Sequence, residues 1–250
     1  MEQGFVKVAS ATPRIRVADP VYNAQVICEQ AKEAAEHGAK IVVFPELCIT
    51  GYTCNDLFLQ ELLLEKAKEA LLTIAEETGQ LETLFLVGLP VDKDGRLYNV
   101  AAVLYRGRIL GMIPKKNIPM YAEFYEGRHF TPGEETVTEY RLGKQVIPFG
   151  SNLLFRCEEL PELILGCELC EDLWVAEPPS TSHALMGATV IANLSASNET
   201  VSKDDYRTLL IKASSARLLC GYIYPSYGEG ESTQDLVFGG HDLIAENGTL

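Results

Sequence analysis

A short run of apolar residues, Ile41-Val42-Val43-Phe44, lies between two long helical patterns near the start of the sequence. Consecutive apolar residues of this kind are typical of a strand that is buried on both faces of its sheet. The first helical pattern begins with an N-cap and a proline, Asp19-Pro20, and ends at Gly38, and the second extends from about Asp56 to Thr78. The sequence therefore predicts an α/β protein in which helices cover a buried sheet.

Predicted strands and helices alternate along the rest of the sequence, but hairpins interrupt them. The turn pairs Asp94-Gly95 and Arg106-Gly107 separate three strand-like runs between residues 84 and 113. Further strands are predicted over 5–9, 152–157, 163–169, 189–193 and 222–227, and helices over 180–186 and 203–219. The segment from 115 to 133 has few periodic features, and a long loop inside an α/β domain is usually functional. We expect a mixed sheet in a single domain over residues 1–250.

The balance of charges excludes some classes of partner. The 250 residues contain 21 basic and 35 acidic side chains, which give a formal net charge of −14. A negative field of this size repels nucleic-acid phosphates and anionic membrane surfaces, so neither is an expected partner. The residues Met1-Glu2-Gln3-Gly4 do not begin a signal peptide, and the apolar runs are too short to span a membrane. We therefore expect a cytoplasmic protein.

An odd number of cysteines agrees with a reducing compartment. The sequence contains Cys28, Cys48, Cys54, Cys157, Cys167, Cys170 and Cys220. Thiols stay reduced in the cytosol, and most buried cysteines behave as small apolar side chains. The pair Cys167 and Cys170 has the Cys-x-x-Cys spacing of dithiol redox proteins. Alternation along a strand would direct these two side chains to opposite faces, which disfavours that function.

Three polar residues follow predicted buried strands at their carboxyl ends. Glu46 comes after 41–44, Lys115 after 108–113, and Cys170 after 163–169. Ligands of α/β sheets bind beyond these strand ends, so the three side chains can share one pocket. A nucleophilic thiol needs a base or a nearby cation, because its ordinary pKa leaves it mostly protonated at neutral pH. Glu46 is the candidate base, Lys115 the candidate cation and oxyanion donor, and Cys170 the candidate nucleophile.

The segments around these three residues resemble the catalytic blocks of the nitrilase superfamily of carbon–nitrogen hydrolases. The blocks are Phe44-Pro45-Glu46-Leu47-Cys48-Ile49-Thr50-Gly51-Tyr52, Pro114-Lys115-Lys116-Asn117-Ile118-Pro119 and Gly166-Cys167-Glu168-Leu169-Cys170-Glu171-Asp172-Leu173-Trp174. Their order and spacing match that family along nearly the whole sequence. The resemblance implies a Glu-Lys-Cys triad, a four-layer α-β-β-α sandwich, and association into homo-oligomers.

Other segments resemble the glutaminase domains of glutamine-dependent NAD synthetases. They are Tyr121-Ala122-Glu123-Phe124-Tyr125-Glu126, Asn193-Leu194-Ser195-Ala196-Ser197 and Gly228-Glu229-Gly230-Glu231-Ser232-Thr233. The resemblance implies hydrolysis of the glutamine side-chain amide through a cysteine thioester, with no cofactor or metal in this domain. It also implies that ammonia passes to deamido-NAD on a C-terminal synthetase domain that binds ATP and Mg²⁺. The sequence contains no Ser-Gly-Gly-Xaa-Asp-Ser loop of such a domain. We therefore expect these 250 residues to be part of a longer enzyme.

The same resemblance implies supporting residues around the triad. Glu123 matches a glutamate that orients the lysine, and the backbone amide of Glu171 is the natural second oxyanion donor. Arg207 is expected to pair with the carboxylate of the substrate. The residues expected to contact glutamine are Tyr52, Tyr121, Phe124 and Ser197.

Four other functions remain open at this point. A free-standing amidase of the omega-amidase type would use the same triad. A thiol redox protein would use Cys167 and Cys170, and a zinc site would combine these two with Cys48 and Cys54. A catalytically inactive binding module is the last alternative. The presence of all three triad residues favours the hydrolase.

Overall fold

Two β-sheets packed face to face form the centre of the structure, a computed structural model that describes residues 4–250. The signal-peptide prediction concerns residues 1–3, which lie outside the described part of the chain. The seven-stranded sheet has the order β1-β2-β3-β4-β5-β7-β6. Its strands are β1 (Val8–Ser10), β2 (Ile41–Val43), β3 (Leu84–Lys93), β4 (Arg96–Tyr105), β5 (Arg108–Pro114), β6 (Thr138–Leu142) and β7 (Gln145–Phe149).

The second sheet has five strands. They are β8 (Leu154–Arg156), β9 (Ile164–Leu169), β10 (Val190–Leu194), β11 (Gly221–Tyr224) and β12 (Leu243–Glu246), in the order β12-β11-β10-β9-β8. The central strands β9, β10 and β11 run parallel, while the edge strands β8 and β12 pair antiparallel. The first sheet is mixed in the same way, since β1, β2 and β3 are parallel and the hairpins from β3 to β5 are antiparallel.

Four α-helices cover the outer faces of the two sheets. The helices α1 (Pro20–Glu36) and α2 (Glu61–Glu77) lie on the seven-stranded sheet, and α3 (Pro179–Leu185) and α4 (Lys203–Leu218) lie on the five-stranded sheet. Asp19 caps α1 by accepting a hydrogen bond from the N–H of Tyr22 at 3.1 Å. None of the helices between residues 4 and 250 has the length and apolar composition needed to cross a membrane.

Alternation along the strands separates the apolar core into layers. On β4, Ala101 faces the other sheet and Ala102 faces the helices, and both are fully buried. On β9, Leu165, Cys167 and Leu169 all belong to the core between the sheets. Helix, sheet, sheet and helix therefore stack as four layers, which confirms the predicted nitrilase-like α-β-β-α sandwich.

The structure differs from the sequence prediction at several elements. The hairpin of β6 and β7 was not predicted; β7 joins the first sheet by pairing parallel to β5. The predicted helix over 56–78 is divided at Gln60 into a 3-10 helix, Asn55–Leu59, and α2. The first predicted strand is displaced toward the C-terminus, to Val8–Ser10.

Candidate active site

The structure brings the carboxyl ends of β2, β5 and β9 to one place. Lys115, directly after β5, donates a hydrogen bond from Nζ to Oε1 of Glu46, in the turn after β2, at 2.7 Å. Both side chains are fully buried. Cys170 follows β9 on the other sheet and lies close enough for the charges of Glu46 and Lys115 to shift its pKa. The three residues predicted as a triad therefore meet across the interface between the two sheets.

A second carboxylate holds the lysine from the loop after β5. Lys115 Nζ also donates to Glu126 Oε1 at 2.6 Å, so it forms two buried ion pairs. The hydroxyl of Tyr52 donates to the same Glu126 oxygen at 2.8 Å, and Asn99 Nδ2 donates to Glu46 Oε1 at 2.7 Å. These contacts fix the ammonium position with little freedom to move.

The orienting role predicted for Glu123 is wrong, because Glu126 occupies that position. The 3-10 helix Glu126–Arg128 turns the Glu126 side chain into the interior. Glu123 lies three residues earlier, in irregular chain, and its carboxylate accepts a hydrogen bond from Asn198 Nδ2. Both glutamates occur in one aperiodic loop, so the sequence carries no periodic signal to distinguish them.

Burial and charge set the protonation states of the triad. Burial raises the pKa of Glu46 to about 7, against the opposing effect of Lys115. Burial alone would lower the pKa of Lys115, but Glu126 and Glu46 outweigh it and hold that pKa well above its ordinary value. Burial and Glu46 raise the pKa of Cys170 to about 12, while Lys115 and the backbone amide of Ala196 act in the opposite direction. The resting thiol is therefore protonated and needs a base.

Glu46 is placed to act as that base. Its Oε1 accepts from Lys115 and Asn99, whereas its Oε2 is buried and has no hydrogen-bond partner among residues 4–250. A carboxylate with one free oxygen and a pKa near neutrality can accept a thiol proton and return it. Tyr227 fixes the backbone of this turn, since its hydroxyl donates to the carbonyl oxygen of Glu46 at 2.6 Å.

Cys170 occupies a tight turn that begins a 3-10 helix, Cys170–Leu173. Its φ of 40° lies in the left-handed region, which is unfavourable for a residue with a side chain. Its N–H donates to Oδ1 of Asn193 at 3.0 Å. Because this contact occupies the Cys170 amide, the Glu171 amide at the first turn of the 3-10 helix is the nearby backbone donor for an oxyanion.

A buried aspartate joins the cysteine turn to the lysine loop. Asp172 accepts hydrogen bonds from the N–H of Leu169 at 3.0 Å and from the N–H of Asn117 at 2.8 Å. Burial raises its pKa to about 6, and these hydrogen bonds oppose that change. The two loops that carry Cys170 and Lys115 are thus held together by one carboxyl group.

Cys170 opens into a cavity of about 460 Å³. Five residues predicted to support the reaction line it: Tyr121, Glu123, Phe124, Glu171 and Ser197. The Tyr121 hydroxyl donates to the Glu171 carboxylate at 3.0 Å, which brings a phenol and a carboxylate to the cavity wall. Tyr52 does not line this cavity. It lines a smaller neighbouring cavity and contacts Glu126 instead, so its predicted contact with the substrate is replaced by a contact with the lysine network.

Arg207 is also placed differently from the prediction. Its guanidinium is fully buried and donates to Glu199 Oε1 at 2.7 Å, to the carbonyl oxygen of Asn198 at 3.0 Å and to Ser197 Oγ at 3.3 Å. It faces inward from α4 and holds the loop after β10, so it is not available to a substrate carboxylate.

Lys203 is the basic residue that lines the cavity, and it was not predicted from the sequence. It lies one helical turn before Arg207, and that i, i+4 spacing on a predicted helix was the available signal. Its Nζ lies 5.3 Å from the ring centroid of Trp174 and 5.6 Å from that of Phe124. Burial lowers the pKa of Lys203, as expected for an ammonium group partly removed from water.

The Cys-x-x-Cys pair does not form a joint site. Cys167 lies in the core between the sheets, whereas Cys170 lies at the cavity. Cys48 and Cys54 pack elsewhere, in two different clusters. Between residues 4 and 250 no three His, Cys, Asp or Glu side chains are grouped so that they could hold a metal ion. The geometry therefore supports neither dithiol exchange nor the four-cysteine zinc site.

Comparison with known proteins identifies the family of this chain. Residues 7–246 match the family described as carbon-nitrogen hydrolase. The chain is 43% identical over 249 residues to a glutamine-dependent NAD(+) synthetase of Mycobacterium bovis, a match that covers 100% of the chain and 37% of that relative. It is 33% identical over 227 residues to the enzyme of the same name from Thermotoga maritima, which covers 90% of the chain and 35% of the relative. The chain thus spans little more than a third of the length of these relatives.

Solved structures show the same fold. A glutamine-dependent NAD(+) synthetase from Cytophaga hutchinsonii superposes with a TM-score of 0.88 at 29% identity, covering 98% of this chain and 40% of that one. An amidase from Nesterenkonia sp. superposes with a TM-score of 0.75 at 21% identity, covering 97% of this chain and 83% of that one, which bears on the fold alone. The family match extends over nearly the whole sequence, and a glutamate, a lysine and a cysteine lie at the ends of three buried strands within it. This chain is therefore a member of the carbon-nitrogen hydrolase family.

Proposed function

We propose that this chain is a glutaminase domain that releases ammonia from the side-chain amide of glutamine. The observation that carries the proposal is the cavity at Cys170: charged groups of both signs line its wall, and the buried ion pair of Lys115 and Glu46 lies close to Cys170. The likeness to glutamine-dependent NAD(+) synthetases over the whole chain supports the same substrate.

The chemistry begins with attack of Cys170 on the carboxamide carbon. Glu46 takes the thiol proton as the sulfur–carbon bond forms, and the carbonyl oxygen becomes an oxyanion held by Lys115 Nζ and the Glu171 amide. Glu46 then gives its proton to the leaving nitrogen, ammonia departs, and a thioester remains on Cys170. Water attacks this thioester with Glu46 again as the base, which releases the acid and restores the thiol.

Charged groups around the cavity fit the two ends of an amino acid. The ammonium of Lys203 is the proposed partner of the α-carboxylate of glutamine. The carboxylates of Glu171 and Glu123 are the proposed partners of its α-amino group, and the rings of Tyr121 and Phe124 cover its methylene carbons. Ser197, also on the wall, adds a hydroxyl. A simple aliphatic amide would offer these charged groups no partner of opposite charge.

The proposal includes a longer enzyme. The relatives are named for NAD(+) synthesis and extend far beyond the length matched here. We propose that the ammonia is passed to a C-terminal synthetase domain that binds ATP, Mg²⁺ and deamido-NAD, and that the glutaminase domain, residues 1–250, holds no cofactor. Assembly into a homo-oligomer and a cytoplasmic location remain part of the proposal.

The experiment measures ammonia release from glutamine and from glutaramic acid, which carries the same amide and carboxylate but no α-amino group. A glutaminase prefers glutamine strongly in kcat/KM, while an amidase of the omega-amidase type accepts both.

Lys203→Met is expected to raise KM for glutamine roughly tenfold or more with a small change in kcat, because it removes binding shared by the ground and transition states. Equal KM values for Lys203→Met and the native protein would contradict the assigned carboxylate contact.

A further inference from the structure

A buried polar cluster lies behind the nucleophile, on the face of the five-stranded sheet that packs against helices. Glu168 on β9, Asn193 on β10 and Tyr222 on β11 occupy adjacent strands, and Glu168 and Asn193 are directly paired in register. All three side chains are almost completely buried. Apolar side chains such as Ile191 pack on the same face. The reaction described above uses none of the three side chains.

Glu168 is a buried carboxyl group without a cation. Its Oε2 accepts a hydrogen bond from the N–H of Ser180 at 2.8 Å, and its Oε1 accepts from the hydroxyl of Tyr222 and from Asn193 Nδ2 at 3.4 Å. No Lys, Arg or His side chain among residues 4–250 forms an ion pair with it. Burial raises its pKa, and its hydrogen bonds act against that rise. Keeping such a group in an apolar layer is costly, so a specific use is expected.

The cluster fixes which way the amide of Asn193 points. Its Nδ2 faces two oxygen atoms, on Glu168 and on Tyr222, at 3.4 and 3.1 Å. Its Oδ1 therefore faces two donors, the hydroxyl of Ser195 at 2.8 Å and the backbone N–H of Cys170 at 3.0 Å. If the amide rotated by half a turn, the Nδ2 group would meet the Cys170 N–H and that hydrogen bond would be lost.

The hydrogen bond to Cys170 matters because the backbone there is strained. A φ of 40° persists only where surrounding contacts hold it, and the Asn193 oxygen is one of these contacts. We propose that Glu168 is a positioning residue for the nucleophile: by orienting Asn193, it holds the Cys170 N–H and with it the turn that presents the thiol. This inference deepens the glutaminase activity proposed above and rests on it.

The test is a double-mutant cycle with Glu168→Gln and Asn193→Ala. The glutamine side chain brings an NH₂ group into a place that needs only acceptors, so Asn193 loses its fixed orientation. Each single variant is expected to lower kcat roughly 10- to 100-fold, as displacement of a reacting group by about 1 Å does, with KM within about twofold. The double variant is expected to be no slower than Asn193→Ala alone, since Glu168 acts through Asn193.

A stability control separates positioning from simple loss of structure. Ser215→Ala removes a buried hydrogen bond to the carbonyl oxygen of Cys220 on the same side of the molecule, away from the nucleophile. It is expected to lower Tm while leaving kcat per folded protein unchanged. If Glu168→Gln yields too little folded protein, Tyr222→Phe replaces it in the cycle, because the tyrosine hydroxyl shares Glu168 Oε1 with Asn193.

The alkylation rate of Cys170 by iodoacetamide, located by mass spectrometry, gives a readout that does not depend on glutamine. Positioning is supported if Glu168→Gln slows alkylation of Cys170 in the native background but has no further effect in the Asn193→Ala background. This readout holds even if the native protein fails to hydrolyse glutamine. The inference is overturned if Glu168→Gln keeps kcat and alkylation within twofold. It is also overturned if the two substitutions have additive effects on kcat. The same holds if Ser215→Ala lowers kcat as much as Glu168→Gln does when the two variants have equal Tm.

Discussion

At the scale of single residues, Cys167 and Cys170 have opposite surroundings although they lie three positions apart. Cys170→Ala is expected to lower amide hydrolysis by roughly 10⁴-fold or more, because the nucleophile acts as part of a unit with its base. Cys167→Ala removes a sulfur atom from the core between the sheets, which is expected to cost about 1–2 kcal/mol of stability with kcat almost unchanged. Steady-state ammonia release and thermal unfolding measure both effects. Comparable activity losses in the two variants would contradict the assignment.

The pKa of Glu46 gives a prediction for pH dependence. Its pKa rises from an ordinary 4.5 to about 7, chiefly through burial. The rate constant kcat/KM is therefore expected to rise with pH through about 7, as the base loses its proton. Stability changes in the opposite direction, since the folded protein binds this proton more tightly than the unfolded chain does. The contribution of protonated Glu46 to the free energy of unfolding is fully present below pH 4.5 and is lost as the pH rises through about 7.

The stability change is measured against Glu46→Gln, which cannot titrate at this position, and kcat/KM is followed with pH in the native protein. The Tm of the native protein is expected to fall relative to that of this variant as the pH rises from 5 to 8, because only the native protein loses the proton on Glu46. A kcat/KM that is independent of pH over the same range would show that another group is the base.

Glu123 and Glu126, both in the loop after β5, are expected to differ in their effects. Glu126→Gln removes one of two carboxylates from the buried ammonium of Lys115, which is expected to cost about 3–5 kcal/mol and most of the activity. Glu123→Gln changes a side chain at the cavity wall and is expected to raise KM with little change in Tm. If Glu123→Gln lost more stability than Glu126→Gln, Glu123 and not Glu126 would be the glutamate that orients Lys115.

At the scale of elements, β3 supports the turn that carries the base. A Cβ atom on Gly88 would lie 2.2 Å from the backbone nitrogen of Leu47 and 2.8 Å from the carbonyl carbon of Glu46. Gly88→Ala is expected to move that turn, lowering kcat roughly 100-fold and stability by about 1–3 kcal/mol. Gly221→Ala is the matched control on β11, where the nearest side-chain atom, on Val190, is 3.8 Å from the added Cβ. Equal kcat values in the two variants would refute a supporting role for β3.

The ends of elements also explain how much of the site the sequence could predict. Glu46, Lys115 and Cys170 each follow an apolar run, so strand prediction placed them without any contact information. Glu126 could not be distinguished from Glu123, because both lie in an aperiodic loop and only the tertiary fold turns one of them inward. Asn193 is the penultimate residue of the buried strand β10, but its hydrogen bond to Cys170 depends on the register of β9 and β10.

The fold was predictable to a similar degree. The short apolar runs and the capped helix α1 identified most elements and a mixed sheet covered by helices, whereas the sandwich class followed from the family resemblance. The hairpin of β6 and β7 was missed because each strand buries only alternate residues over five positions, and Pro148 interrupts the second strand. Short, half-polar strands at the edge of a sheet depend on pairing rather than on local sequence.

At the scale of the whole molecule, the site is divided between two sheets. Glu46 and Lys115 belong to the seven-stranded sheet and Cys170 to the five-stranded sheet, so the distance between the sheets sets the distance from base to nucleophile. Ala101→Val adds two methyl groups between the sheets, and Ala102→Val adds the same volume between sheet and helices. Both are expected to cost about 1–3 kcal/mol, but only Ala101→Val is expected to lower kcat, by more than about tenfold.

Activity and thermal unfolding, measured on both variants, test this prediction. If Ala102→Val loses as much kcat as Ala101→Val at equal stability, the separation of the sheets does not control the reaction.

The division of the site has a consequence for the time at which the reaction becomes possible. The ribosome makes the base and the lysine first, and the nucleophile follows 55 residues after Lys115. A growing chain that contains only the first sheet has the base and the lysine but no nucleophile, so it cannot cleave an amide. Hydrolysis begins only when β9, β10 and β11 have docked, so the onset of ammonia release marks the docking of the second sheet on the first.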